Sequence, residues 1–166
     1  MKLPRWLVIG MLTTSVLAVL VAAGWWWVTW PERTARDFFE AMVADRQEDE
    51  MNMLAPGLQP WFAARMEFRA GMLRRGAITE AQLEDERNAS KFQLQPPDWW
   101  QLLTGRRTLR IAMENDLVRP KVYGLYIVQR GLVVDYESVV GEEHYSTEQI
   151  LEAIGDIGRF LAEPQE

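Results

Sequence analysis

The sequence contains no cysteine. This absence excludes disulfide bonds, thiolate metal sites and thiol catalysis within its 166 residues, so a folded domain must be stabilised by its core alone. Secreted eukaryotic domains often carry disulfides, and their absence therefore favours a protein of the bacterial envelope. Histidine is nearly absent too: the single His144 follows Glu142 and Glu143, in a segment predicted to be a solvated loop.

A long stretch near the N-terminus lacks charge. The run from Trp6 to Trp30 holds 25 residues and no Asp, Glu, Lys or Arg. At about 1.5 Å per residue, a helix of this length crosses the roughly 30 Å hydrocarbon core of a bilayer. Basic residues precede the run, and tryptophans, which favour the membrane–water interface, close it. The predicted interface residues are Lys2, Arg5, Trp25, Trp26, Trp27 and Trp30.

The competing interpretation of this run is a cleaved signal peptide, with Val21 and Ala23 before a cleavage site at Gly24. The run is longer than the apolar core of about 7–15 residues that signal peptides have. We therefore expect an uncleaved single-pass anchor over residues 6–30, with the basic residues 1–5 in the cytoplasm. Residues 31–166 would then form an extracytoplasmic domain, in the periplasm of a bacterium whose inner membrane holds the helix.

Acidic residues dominate the chain after this run. Residues 31–166 carry 16 basic and 24 acidic side chains, a net charge of −8. A negatively charged surface disfavours a nucleic-acid partner. The length of residues 31–166 suits a single domain with its own core. The partners we expect are the membrane itself and other envelope proteins.

The pattern of residues 31–166 predicts an α+β fold. Pro31 is expected to end or kink the membrane helix. Alternating apolar residues predict an antiparallel meander of three strands, with a tight turn at Arg130-Gly131. Apolar residues at helical spacing predict five further helices. These helices begin near residues 35, 60, 79, 98 and 146, and the strands cover 109–113, 122–129 and 132–140.

The last helix has the most regular apolar stripe in the domain. Ser146 and Gln149 form a capping box at its start, as Thr79 and Gln82 do for an earlier helix. We expect the stripe to cover one face of the meander, and two glycines within the helix to allow close approach to the sheet. The stripe consists of Ile150, Leu151, Ile154, Ile157, Phe160 and Leu161, and the glycines are Gly155 and Gly158.

One segment resembles a known family. The pattern Ala-Arg-Asp-Phe-Phe-Glu-Ala-Met at residues 35–42, followed by Leu-Ala-Pro at 54–56, looks like the start of NTF2-like cone domains. The resemblance implies a ligand-binding α+β fold and covers this segment alone. A three-stranded meander is shorter than the curved sheet of that family, so no functional residue is carried over from it.

No catalytic, cofactor or metal site is predicted. Glu142, Glu143 and His144 are consecutive, so their side chains diverge, and no glycine-rich loop connects a strand to a helix. Asp135 and Glu137 share one side of a strand, which indicates a solvent face. Aromatic residues could instead line an apolar ligand pocket or a partner surface against the sheet. These candidate residues are Trp61, Trp99, Trp100, Tyr123 and Tyr126.

Three functions are compatible with this pattern. The first is a non-enzymatic accessory or assembly protein that presents its domain to envelope partners. The second is a small-ligand-binding α+β module tethered to the membrane. An envelope enzyme of unknown reaction ranks third, because no convergent set of reactive side chains is visible.

Overall fold

The chain has an α+β fold, in which helices pack against a five-stranded antiparallel sheet. The computed structural model describes residues 4–113 and 122–162. The helices are α1 Arg5–Val43, α2 Gln47–Asn52, α3 Gln59–Arg74, α4 Glu80–Ala89, α5 Trp99–Thr104 and α6 Thr147–Ala162. The strands are β1 Ser90–Leu94, β2 Arg106–Met113, β3 Val122–Gln129, β4 Leu132–Val140 and β5 Glu143–Ser146.

Helix α1 joins the charge-free run to the domain without a break. Pro31 lies inside the helix and is buried, so it does not end the helix as the sequence had allowed. The helix continues because Ala35 and Phe38, on its next turns, are buried in the domain core. Within the described part of the chain, α1 is the one helix long and apolar enough to cross a membrane. Its first half is exposed and its second half belongs to the α+β domain.

The end of α1 is set by Asp45, which takes a left-handed backbone conformation with φ of 53°. The Asp45 N–H donates to the Met42 carbonyl and the Arg46 N–H to the Ala41 carbonyl. These two bonds form a Schellman motif, in which a left-handed residue is usually glycine. The motif ends the helix that contains the predicted segment from residue 35, and α2 is a separate short helix after it.

Local caps bound the middle helices, and the capping box predicted at Thr79 and Gln82 is confirmed. Gly76 has a φ of 69° after the last turn of α3. At α4, the Gln82 N–H donates to the Thr79 hydroxyl and the Thr79 N–H to the Gln82 side chain. At α5, the Asp98 carboxylate accepts the Gln101 N–H at 2.6 Å. The Gln101 side chain donates to the Thr108 hydroxyl and does not accept the Asp98 N–H, so this cap is not a capping box.

The sheet is larger than the predicted meander. Strands β3 and β4 have the predicted bounds, and β2 begins three residues earlier. Strands β1 and β5 were not predicted, because each is short and has few apolar residues. The order is β1-β2-β3-β4-β5 throughout. His144 therefore lies on an edge strand and not in a loop, with its Nδ1 3.0 Å from Glu137. Asn115-Asp116, whose residue types favour a turn between β2 and β3, and Pro120, which would suit an edge or a bulge, lie outside the described residues.

Helices α1 and α3 pack against one face of the sheet, here called the inner face. Helix α6 packs against α3 and the last two strands, and its predicted capping box is confirmed. Ile150 and Leu151 contact the core, whereas Ile157, Phe160 and Leu161 lie beyond the described side chains. Gly155 is exposed and has nothing within 4 Å of its Cβ position, so its predicted close approach to the sheet is wrong. Gly158, like Ile157, lies beyond the residues whose surroundings are described.

Candidate ligand-binding cavity

Two tyrosines form the wall of the candidate site on the inner face of the sheet. Tyr126 of β3 lies directly opposite Tyr136 of β4, and their ring centroids are 4.6 Å apart. Phe38 of α1 packs against Tyr126 at 5.2 Å, and Trp61 of α3 packs against Tyr136 at 4.3 Å. The four rings form a continuous aromatic row, which is fixed on both sides by helices.

A cavity of about 290 Å³ lies between this wall and helices α3 and α4. Its volume is at the lower end of the range of small-molecule sites, about 300–1,000 Å³. The lining is mainly apolar and includes five charged side chains: Glu50 of α2, Arg65 and Arg69 of α3, and Glu86 and Arg87 of α4. The apolar side chains include Met42, Met66, Met72, Ile78, Leu83 and Ile111.

The polar end of the cavity is formed by Glu50, Arg65 and Tyr126. Glu50 is 3 % exposed, and burial, with Asp45 adding to it, raises the pKa of its carboxyl to about 7. Burial and Tyr136 raise the pKa of Tyr126 well above its usual value, so its phenol stays neutral. Burial alone would lower the pKa of Arg65. Tyr126, Tyr136 and Glu50 outweigh that effect, so the pKa is raised and the guanidinium stays charged, with a hydrogen bond to Tyr126.

A network of ion pairs joins three helical segments beside the cavity. Asp45 lies 2.6 Å from Arg87 of α4 and 3.3 Å from Arg69 of α3. Burial by itself would raise the pKa of Asp45, but the hydrogen bond from Arg87 and the charges of both arginines lower it. The two arginines are thus occupied by Asp45, whereas the nearest carboxyl that acts on Arg65 is Glu50, which is half protonated near neutral pH.

The structure separates the five aromatic residues proposed as a pocket or partner surface. Tyr123 and Tyr126 line the cavity. Trp61 is buried behind it, 2 % exposed, with its ring against Tyr136 and under the Arg65 guanidinium. Trp99 and Trp100 are exposed on α5 and do not line the cavity.

The residues proposed for the membrane interface also divide into two groups. Trp25 and Trp26 point outward, 69 % and 49 % exposed. Trp27 and Trp30 instead pack against the domain, where they contact Gly105 and Gly131. Arg5 begins α1 and is exposed, and Lys2 lies outside the described residues.

Sequence reasoning did not identify Glu50, Arg65 and Tyr136 as site residues. Arg65 had a usable signal, because it follows Trp61 by four positions and therefore shares the buried face of α3. Glu50 had no comparable signal, since it ends an acidic segment that is otherwise exposed or half-buried.

Among the described residues no group of three or more His, Asp or Glu side chains could hold a metal ion. No family model matches the chain, and neither a curated protein nor a solved structure is similar to it. The arrangement itself therefore carries the functional argument. An apolar cavity that ends in a fixed cation, a neutral phenol and a carboxyl titrating near pH 7 can bind the acidic end of a small amphipathic molecule.

Proposed function

We propose that this protein is a membrane-anchored ligand-binding module, whose α+β domain binds a small amphipathic acid. The cavity beside Glu50 and Arg65 is the observation that supports it. A purely structural core would be filled at this position, since protein interiors contain few voids larger than a water molecule. Burying a charged pair beside such a void costs free energy, because both groups lose their hydration, and a bound partner could offset that cost.

The charges beside the cavity favour an acid over a base or a neutral ligand. Three arginines line the cavity, Arg65, Arg69 and Arg87, and the carboxyl groups of Asp45 and Glu86 lie beside the last two. When Glu50 is protonated, Arg65 faces the cavity without an ionised carboxylate beside it. A ligand carboxylate would therefore replace the missing charge, and the apolar lining would bury the rest of the ligand.

The test is calorimetric titration of the full-length protein in lipid nanodiscs with 4-phenylbutyrate, 4-phenylbutanol and 4-phenylbutylamine. We expect the acid to bind most tightly and the amine not at all. Arg65→Met should remove acid binding, whereas Arg75→Met, at an exposed residue that caps the end of α3 and does not line the cavity, should not. Equal affinity for all three compounds, or loss of binding in both variants, would contradict the proposal.

The placement of the domain is a separate part of the proposal. The basic N-terminal tail supports a cytoplasmic N-terminus and a periplasmic domain, with α1 in the inner membrane of a bacterium. An alkaline phosphatase fused after Glu166 should be active, and a green fluorescent protein at the same position should not fluoresce. The reverse pattern, or a mature protein that begins at Gly24, would show that the placement is wrong.

The accessory or assembly role stays a prediction from the sequence, as does the absence of enzymatic activity. Affinity purification in mild detergent distinguishes this role from ligand binding. A stoichiometric membrane protein partner would support it. A monomer whose melting temperature rises with 4-phenylbutyrate supports the ligand-binding module instead.

A further inference from the structure

Helix α5 lies at the end of the sheet that meets the charge-free half of α1. Gly105, which ends α5, is so close to Trp27 that a Cβ there would lie 3.2 Å from the indole ring. Gly131, in the turn between β3 and β4, has the same relation to Trp30 at 3.0 Å. Because Trp27 and Trp30 close the charge-free run, this membrane-proximal end of the domain lies level with the end of that run.

The connection between β1 and β2 places α5 at this same end. Leu94, the last residue of β1, pairs with Leu109 near the start of β2, so the chain between them turns at the membrane-proximal end. Arg106, the first residue of β2, pairs with Gln129, the last residue before the β3–β4 turn. The opposite end of the sheet holds the β4–β5 turn, and α1 runs toward that end until the chain reverses at Asp45.

Three apolar side chains of α5 are exposed there. Trp99, Trp100 and Leu103 are 69 %, 58 % and 61 % exposed, and we call them the α5 patch. The two indole rings contact each other, with their centroids 5.8 Å apart. Tryptophan is the residue that most favours the lipid headgroup region, because its ring is apolar and its N–H can still be hydrated.

The charges around the patch match an anionic surface. Arg106 and Arg130 are exposed at the membrane-proximal end, although the domain as a whole is acidic. At the start of α5, the Asp98 carboxylate accepts the Gln101 N–H. Basic side chains near anionic headgroups each contribute about 1 kcal/mol to binding.

We propose that the α5 patch is a second membrane contact, inserted into the headgroup layer of the bilayer that α1 crosses. Together with α1 it would fix the tilt of the domain, since two contacts define an orientation that one helix leaves free. The proposal rests on α1 being a bilayer anchor and is independent of the ligand cavity.

Because the chain has no cysteine, single cysteine variants can carry a nitroxide label without background. Leu103→Cys reports on the patch, Leu17→Cys on the exposed anchor, and Glu48→Cys on α2. Helix α2 begins four residues after Val43, the end of α1, and Val43 lies 13 residues or about 20 Å beyond Trp30. Full-length protein is reconstituted into vesicles of phosphatidylcholine and phosphatidylglycerol, and accessibility to oxygen and to a water-soluble nickel chelate is measured.

We expect the label at position 103 to lose most of its nickel accessibility relative to position 48, and position 17 to lose all of it. Adding Trp99→Ser and Trp100→Ser to Leu103→Cys should restore access, because both tryptophans are exposed and their removal leaves the core intact. Equal nickel access at positions 103 and 48, with position 17 protected, would overturn the second contact while the anchor stands. Spin–spin broadening at position 103 would overturn it in favour of a contact between two copies of the chain.

Discussion

Tyr126 and Tyr136 lie side by side across the β3–β4 hairpin because Gly124 leaves room for both rings. A Cβ at Gly124 would lie 2.8 Å from the Tyr126 ring and 3.0 Å from the Tyr136 ring. Gly124 has no left-handed backbone angle, so space and not conformation requires the glycine. The same residue lines the cavity, and the tyrosine wall therefore depends on a missing side chain.

Replacing this glycine should disturb both stability and the site. For Gly124→Ala we expect a loss of about 1–3 kcal/mol in the free energy of unfolding, because an added methyl group displaces packed rings. The near-ultraviolet circular dichroism of the tyrosines should change as well. Gly57→Ala is the control, since nothing lies within 4 Å of its Cβ position. An unchanged melting temperature in Gly124→Ala would mean that the rings are not packed as described.

Glu50 should make stability depend on pH. Its pKa is raised in the folded protein, from about 4.5 to about 7, so the folded state binds more protons than the unfolded state between these values. Stability should therefore fall as pH rises through this window, by about 3 kcal/mol in all. Glu50→Gln, which stays neutral, should lose this dependence and be the more stable protein above pH 7.

The same ionisation should weaken ligand binding. A carboxylate at position 50 repels an acidic ligand, so the affinity for 4-phenylbutyrate should fall as pH rises through about 7. In Glu50→Gln the affinity should stay constant over that range. Chemical denaturation and calorimetry at a series of pH values measure both effects. An identical pH profile in the two proteins would show that Glu50 does not titrate there.

The sequence predicted those helix caps and turns that depend on residues close together in the chain. The capping box at Thr79 and the tight turn at Arg130-Gly131 depend on neighbours in the chain, and both are present. Edge strands β1 and β5 form because a partner strand is available, so their own residues carried little signal. The site joins Glu50, Arg65 and Tyr126 from three separate elements, and only tertiary packing brings them together.

Asp45 combines a left-handed backbone with two ion pairs, and substitutions can separate the two contributions. Asp45→Gly keeps the backbone conformation and removes the contacts to Arg69 and Arg87. Asp45→Ala removes both and should be less stable than the glycine variant by about 1 kcal/mol. Because Asp45 is partly exposed, the ion pairs themselves should contribute less than about 1 kcal/mol each. Equal stability of the two variants would show that the backbone at this residue is not strained.

Ile154 was expected to be buried against the sheet, but it lies half-buried in a crevice between α6 and α3. Arg74 and Arg75 line this crevice together with Glu67, so its charge is predominantly positive. An acid at position 154 would gain from the arginines, whereas a base would be repelled. We therefore expect Ile154→Lys to destabilise the protein more than Ile154→Asp, although both lose apolar contacts.

Thermal unfolding of the full-length protein in detergent micelles measures this difference. Leu151→Asp should be the most destabilised variant, since Leu151 packs against the core and has no arginine beside it in the crevice. Ala153, on the exposed side of the same helix turn, provides the control pair Ala153→Asp and Ala153→Lys. If Ile154→Asp is destabilised as much as Ile154→Lys, Arg74 and Arg75 do not reach α6, and the crevice between α3 and α6 does not have this geometry.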